Sequence, residues 1–520
     1  MLRAAISSLA LVLGTAFGAA ALGSPASAAP TSPPPPPPPR KDAATKWRID
    51  GSATTPAVLS KTIGAADVHK QKTSSGELIT GTGVGVALID SGIAAVHGLD
   101  DSTRIVNGPD LSFESQDPNT RYKDTFGHGT HMGSIIAAND TSVPLDDPQS
   151  TAGIAPAAKL ISLKVATSDG ATDVSQMIAG IDWVVAHRKD PGLNIRVLNL
   201  SFGTNSVQNE QLDPLSHAVE SAWRNGIVVV VSVGNDGAAA TSITMPALNP
   251  YVIAVGAADT QATDVYGDDT LATFSSVGSS NRHADLLAPG TSIIGLRDPG
   301  SYIDTNYPTG LVPGDPTGRL FRGSGTSQAA AVTSGAVALL LQKRPTLTPD
   351  QVKSVLMATV NPLPKVTGYA KGAGELNIKA AIGAPVPSGS VQSWPASTGT
   401  GLLEQSRGSA HVTDPDTGVD LVGETDIMGQ TWNGAAWAVE ASTGTAWTGG
   451  VWNGSLWTGS TFAAGTNHWG GVPWAGTGWT SRSWTSRSWT GAVWDGRSWT
   501  GRSWTGRSWT GRSWCDRAWV

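Results

Sequence analysis

The chain has 520 residues, a single cysteine (Cys515) and a formal net charge of −6. One cysteine excludes an internal disulfide framework, and the length allows roughly two to four domains, of which one of about 300 residues can bury a large core unaided. The charge is uneven: from Thr480 onward there are seven Arg and two Asp, which leaves the preceding chain at −11, so the basic tail either meets an anionic partner or carries Arg to keep a Trp-rich segment soluble.

From the N-terminus, Arg3, an apolar Ala/Leu-rich stretch over 4–22 and Ala26-Ser27-Ala28 read as an export signal covering residues 1–28. Ser7, Ser8, Gly14, Thr15 and Gly18 make that stretch a poor bilayer span. No later stretch is long and apolar enough, so no membrane span is expected once the signal is removed. A secreted, extracellular chain is the expectation, with cell-wall association if the tail binds there. The proline run 33–39 makes residues 29–60 a stiff segment outside any core.

Regular patterning starts near Gly83. The runs 85–90, 160–165, 197–200, 227–233 and 252–255 are short apolar stretches of strand type. Between them Val174, Met177, Ile178, Ile181 and Val185 fall at helical spacing behind a capping Thr172 or Asp173. A second helix is predicted over 215–223, closed by Asn225-Gly226. Thr348-Pro349-Asp350 opens another, with Pro in its first turn. Strands alternating with helices predict an α/β domain over residues 61–384: a doubly wound, mostly parallel sheet with helices on both faces. Within it, residues 296–319 read as a long loop able to overhang a cleft. Residues 385–430, rich in Gly, Ser, Thr and Pro, are expected to be a linker with little core of its own.

Residues 431–520 form a Trp tail. Sixteen of the 20 Trp follow residue 430, which sets this segment apart, and from Trp469 to Trp519 they recur every fifth residue. A period of five fits neither a helix nor a flat strand and predicts a β-rich repeat segment with turns at Gly. The rings either pack along the repeat or stack on sugar rings of a cell-wall polysaccharide, with Arg assisting. Packing is favoured for most of them.

Three motifs carry chemistry: Leu88-Ile89-Asp90-Ser91-Gly92, Gly127-His128-Gly129-Thr130-His131-Met132-Gly133 and Gly323-Ser324-Gly325-Thr326-Ser327-Gln328-Ala329-Ala330. Each alone is weak, since a lone His is usually structural and a Ser in a Gly/Ala segment usually just starts a helix. Together, in the order Asp, His, Ser, the chain resembles the subtilase family of serine proteases over about residues 61–384. The resemblance implies a subtilisin-like fold and a secreted endopeptidase with Asp90, His128 and Ser327 as catalytic triad. It implies that His128 takes the proton of Ser327 while Asp90 orients the imidazole. Val231-Ser232-Val233-Gly234-Asn235-Asp236-Gly237 resembles the family segment whose Asn donates to the oxyanion, which assigns Asn235 that role. Ser201, Phe202 and Gly203 resemble the strand that pairs with an extended peptide. Thr244, ahead of Met245-Pro246, falls near the base of the main specificity pocket, where it favours small or medium apolar residues. Asp124 matches an acid that shapes the cleft, and His131 reads as a packing residue.

The chain departs from the family at Gln328 and Ala331, where Met and Pro are common. A full inhibitory prodomain also looks absent from the residues ahead of the domain. No cofactor or metal is needed for catalysis. Structural calcium is compatible with the polar loop of Asn139, Asp140, Asp146 and Asp147 but is not predicted. Polypeptide substrates are the expected partners. Nucleic acid is not expected, given export and the acidic body. The rival to an active enzyme is a surface-binding protein that uses the fold as a scaffold. Asp90, His128, Ser327 and Asn235 together argue against it, because a scaffold has no need of all four.

Overall fold

The computed structural model describes residues 53–116, 119–412, 419–456 and 516–518. The export signal, the proline run and the repeats over 457–515 lie outside the described residues.

Two short helices, α1 (Pro56–Thr62) and α2 (Ala65–Val68), lead into the main sheet. Its strands are β1 (Gly85–Asp90), β2 (Ile105–Asp110), β3 (Lys159–Lys164), β4 (Ile195–Leu200), β5 (Val228–Ser232), β6 (Ile253–Asp259), β7 (Thr270–Leu271) and β8 (Leu286–Pro289). They lie in the order β2-β3-β1-β4-β5-β6-β7, with β8 also on β6. Only the β6–β7 pairing is antiparallel; the others in this sheet are parallel. Every residue of β1 and β5 is buried, which explains why these strands are continuous apolar runs and do not alternate: both faces of a parallel sheet are covered.

The covers are helices. On one layer, α3 (His128–Ala137) packs with α7 (Thr326–Lys343). On another, α4 (Val174–His187) packs with α5 (Pro214–Arg224). Asp173 caps α4 in a capping box with Gln176, and Thr348 does the same with Gln351 for α8 (Pro349–Ala358). Helix α7 is buried from Thr326 to Leu341, so its sequence is apolar or small all round and shows no single stripe. From β1 the chain winds one way through β3 and the other way through β4, β5 and β6. The carboxyl ends of β1 and β4 flank this reversal, which is where a doubly wound sheet opens a crevice.

Two expectations change. Residues 296–319 are not plain loop: β9 (Ile293–Leu296) and β10 (Leu320–Gly325) pair antiparallel, and α6 (Tyr302–Asn306) sits between them. The stretch 385–430 is not a bare linker. After α9 (Ile378–Ala381), its α10 (Leu403–Arg407) packs on α4 and α5, and Leu403, Ser406, Arg407, Asp426 and Ile427 are buried. Its Gly/Ser/Thr composition concealed a few strong anchors.

The strap continues through α11 (Gly434–Thr443), which lies on α5, and the hairpin β11 (Val451–Trp452) and β12 (Ser455–Leu456). Trp432, Trp437, Trp447 and Trp452 are buried. Trp437 and Trp452 both donate from Nε1 to Asp182 Oδ2, at 2.7 and 2.8 Å. The Trp432 ring stands 5.0 and 5.7 Å from the other two rings. For these rings the packing reading holds. Burial pushes the Asp182 carboxyl up to about 7, against the two indole donors. A carboxyl raised in the folded state costs stability as pH climbs from its unfolded value, about 3.9, through the folded one. Thermal unfolding is therefore expected to show Asp182→Asn gaining on wild type between pH 4 and 7, with the difference levelling above that range.

Candidate active site

Asp90 ends β1 and His128 opens α3, and glycine lets the two elements meet. A Cβ on Gly129 would fall 2.1 Å from the Gly92 carbonyl and 3.1 Å from Asp90 Oδ1, so any larger residue would drive the helix off the strand. The result is a buried pair: His128 Nδ1 lies 2.7 and 2.9 Å from the two Asp90 carboxylate oxygens. Asp90 Oδ1 also accepts from the Ser91 amide at 2.7 Å. Two acceptors at Nδ1 fix the imidazole proton there and leave Nε2 as the basic nitrogen.

Asp124 holds the frame of this pair. Its Oδ1 accepts from Gly127 N at 2.7 Å and from Ser91 Oγ at 2.8 Å; its Oδ2 accepts from the amide and hydroxyl of Thr130, both at 2.7 Å. Burial raises its carboxyl, and these donors oppose the rise. His131 reaches β10 and does not pair with Asp90. Its Nε2 lies 3.3 Å from the Phe321 carbonyl, and burial, with His128 nearby, pushes it down to about 3, so it stays neutral.

Ser327 is the second residue of α7, reached from β10, and is fully buried. Its hydroxyl lies 3.5 Å from the Ser201 carbonyl just past β4. Asn235, just past β5, adjoins it. Asn235 Oδ1 accepts from Thr326 N and Oγ1, both at 3.0 Å. A backbone N–H can only donate, so the amide orientation is fixed, and Asn235 Nδ2 remains a buried donor without a partner among the described residues. It stands beside the first turn of α7, whose amides carry the positive end of the helix dipole.

Gly203 follows Ser201 and the buried Phe202. A Cβ on Gly203 would come within 2.4 Å of Thr244 Oγ1, so Gly203 packs on Thr244 with no room for a side chain. Thr244 is buried, its hydroxyl has no partner among the described residues, and the bond after Met245 is cis. Gln328 is fully buried beside Ser327, and neither end of its amide has a partner among the described residues.

A cavity of about 1190 Å³ is lined by Ile93, Tyr122, Asp124, Asp298 and Tyr302 among others. One wall comes from the 296–319 segment, and Asp90, His128, Asn235 and Ser327 do not line this cavity. Tyr302 stacks on Phe126 at 6.0 Å, and Phe126 on His128 at 6.5 Å. Burial, then Asp124 and Asp304, pushes Asp298 up to about 9, which keeps it protonated at neutral pH. No motif singled out Phe126, Asp298 or Tyr302, although the last two lie in the 296–319 segment expected to overhang a cleft. Phe126 sits two residues ahead of a recognised His, and that position was its one cue.

Of the polar loop considered for calcium, Asp140 is engaged by protein groups. Asp140 accepts from Arg319 at 3.2 Å and from Ser142, and lies 3.2 Å from His97 Nε2. Burial alone would raise it; Ser142 and Arg319 prevail and hold it down to about 2.

A carboxylate–imidazole pair lies at the carboxyl end of β1, and its helix α3 packs with the helix that Ser327 opens, beside which Asn235 stands; these residue types are compatible with serine hydrolase chemistry. Residues 81–384 match the model of the subtilase family, peptidase S8. The chain belongs to that family and is a serine endopeptidase. It is 36% identical to the serine protease AprX of Bacillus subtilis (strain 168), over 60% of this chain and 69% of that protein. It is 34% identical to subtilisin DY of Bacillus licheniformis, over 58% of this chain and 91% of the relative. A cold adapted subtilisin-like serine proteinase of known structure is 26% identical over 60% of this chain and 97% of its own, with a TM-score of 0.44. No helix among the described residues is long and apolar enough to cross a membrane.

Proposed function

We propose that this endopeptidase is exported and cleaves polypeptides through an acyl-enzyme, with Asp90, His128 and Ser327 as its triad. The observation that carries the reading is the buried Asp90–His128 pair, whose helix α3 packs with α7, the helix that Ser327 opens. Ser327 Oγ attacks the scissile carbonyl as His128 Nε2 takes its proton. That proton passes to the leaving amine, and water then repeats the sequence on the ester. Asp90 keeps the proton on Nδ1 and stabilises the imidazolium. Asn235 Nδ2 and the amides opening α7 receive the oxyanion. The substrate main chain pairs along Ser201–Gly203, and Thr244 closes the pocket floor, which suits small or medium apolar side chains. The N-terminal signal supports export, and the basic Trp repeats support retention on cell-wall polymers.

A serine-directed fluorophosphonate should label wild type and not Ser327→Ala; equal labelling of both would sink the triad. Asn235→Ala is expected to lower kcat by about 10²–10³ with KM little changed. Steady-state kinetics on one peptide substrate checks this, and an effect confined to KM would remove Asn235 from the oxyanion site.

A further inference from the structure

Strand β10 runs straight into α7, so its last residues, Ser324 and Gly325, precede the nucleophile by three and two positions. One edge of β10 is held by β9, from Leu320 opposite Leu296 to Gly323 opposite Ile293. The other edge, at Ser324 and Gly325, is held by a strand from far along the chain. This is β13 (Asp516–Ala518), antiparallel, with Ala518 opposite Ser324 and Asp516 opposite Gly325. Strand β13 also lies against α7.

A peptide that presents its scissile bond to Ser327 must run past the hydroxyl in extended form. Two main-chain edges reach that point: residues 201–203 on one side, with the Ser201 carbonyl 3.5 Å from Ser327 Oγ, and residues 324–325 on the other. An unpaired sheet edge is a template for any extended chain, and strand addition draws its affinity from main-chain bonds, whatever the side chains. We propose that β13 is a built-in competitor for this track, occupying the 324–325 edge that one half of a substrate would use. The inference rests on Ser327 being the nucleophile. Attachment to the same chain makes the pairing intramolecular, which favours it over a free peptide of the same weak affinity. The +5 charge of the tail against the acidic body acts in the same direction.

The test is Ala518→Pro in the full chain, since proline cannot donate to a ladder and is poorly tolerated within one. With an internally quenched octapeptide spanning the scissile bond on both sides, KM is expected to fall about tenfold and kcat to stay unchanged, as for release of a competitor. Deleting residues 515–520 should do the same, and a synthetic peptide of residues 515–520 should then inhibit the shortened enzyme competitively. KM within twofold of wild type in both variants would overturn the proposal. Fluorophosphonate labelling of Ser327 in the same samples keeps the two readings apart. Full labelling with unchanged KM removes the competitor alone, whereas no labelling of any form removes the nucleophile assignment beneath it.

Discussion

Ser327→Ala and His128→Ala are each expected to lower kcat by about 10⁶-fold, and the double variant by no more than either alone. The reason is that hydroxyl and imidazole make one device. Without the base the serine stays a neutral alcohol, and without the serine the imidazole has nothing to deprotonate. Residual turnover should sit about 10³–10⁴ above the uncatalysed rate, carried by substrate positioning and by the oxyanion donors, Asn235 among them. Asp90→Asn should cost less, about 10⁴-fold, because the imidazole survives but its tautomer is no longer enforced from the two oxygens 2.7 and 2.9 Å away. Single-turnover kinetics on one amide substrate gives the four values. The informative outcome is the double variant. Losses that multiplied would mean that Ser327 and His128 act on separate steps, and the triad would have to be abandoned. Ser327→Ala should leave stability nearly unchanged, since the hydroxyl has only a 3.5 Å contact to lose, so a fall in activity cannot be blamed on unfolding.

Strands whose burial is two-sided were legible because their apolar runs are uninterrupted: β1, β4 and β5 fall within one or two residues of the predicted stretches. Helix α4 was legible because spacing and cap agree, and Asp173 caps it. The site was legible for a different reason. Chemistry fixes Asp90, His128 and Ser327 in local motifs, while the glycines around them answer to close approach, as Gly129 does against Gly92. Long-range complementarity left no local trace. Arg407 in a Gly/Ser-rich stretch reads as a solvated charge until Asp173, 234 residues earlier, is seen beneath it. Trp437 and Trp452 read as members of a repeat until Asp182 is found accepting from both. The wall of the cavity that Tyr302 lines was hidden likewise. Tyr302 meets Phe126 only because the amides of Tyr302 and Ile303 donate to the carbonyls of Thr125 and Phe126 at 3.0 Å, and no periodicity announces such a pairing.

Arg407→Ala is expected to destabilise the protein by about 3–5 kcal/mol, the largest stability effect of any single substitution in the strap. The guanidinium is fully buried. Nε donates to Asp173 Oδ2 at 2.6 Å, while the Nη groups donate to the carbonyls of Gly423 and Thr425 at 2.7 and 2.5 Å. Truncation strands a buried carboxylate and two buried carbonyls at once. The pH profile separates this cause from simple loss of packing. Burial alone would raise the Asp173 carboxyl; in wild type Arg407 outweighs it and holds the group below its ordinary value. A depressed carboxyl contributes stability above its unfolded value, about 3.9, and loses it as pH falls through the folded one. With Arg407 gone, only the Ser175 amide and hydroxyl still oppose burial; burial is then expected to prevail and the sign to reverse, so the variant should gain stability as pH falls toward 4. Urea unfolding from pH 4 to 8 should therefore show the two curves converging toward acid. Pairing Arg407→Met with Asp173→Asn removes both charges while the amide can still cap α4, and should cost less than either change alone. Parallel pH curves, or a double variant as unstable as the sum of its parts, would mean that the strap is held by its apolar anchors and not by this ion pair.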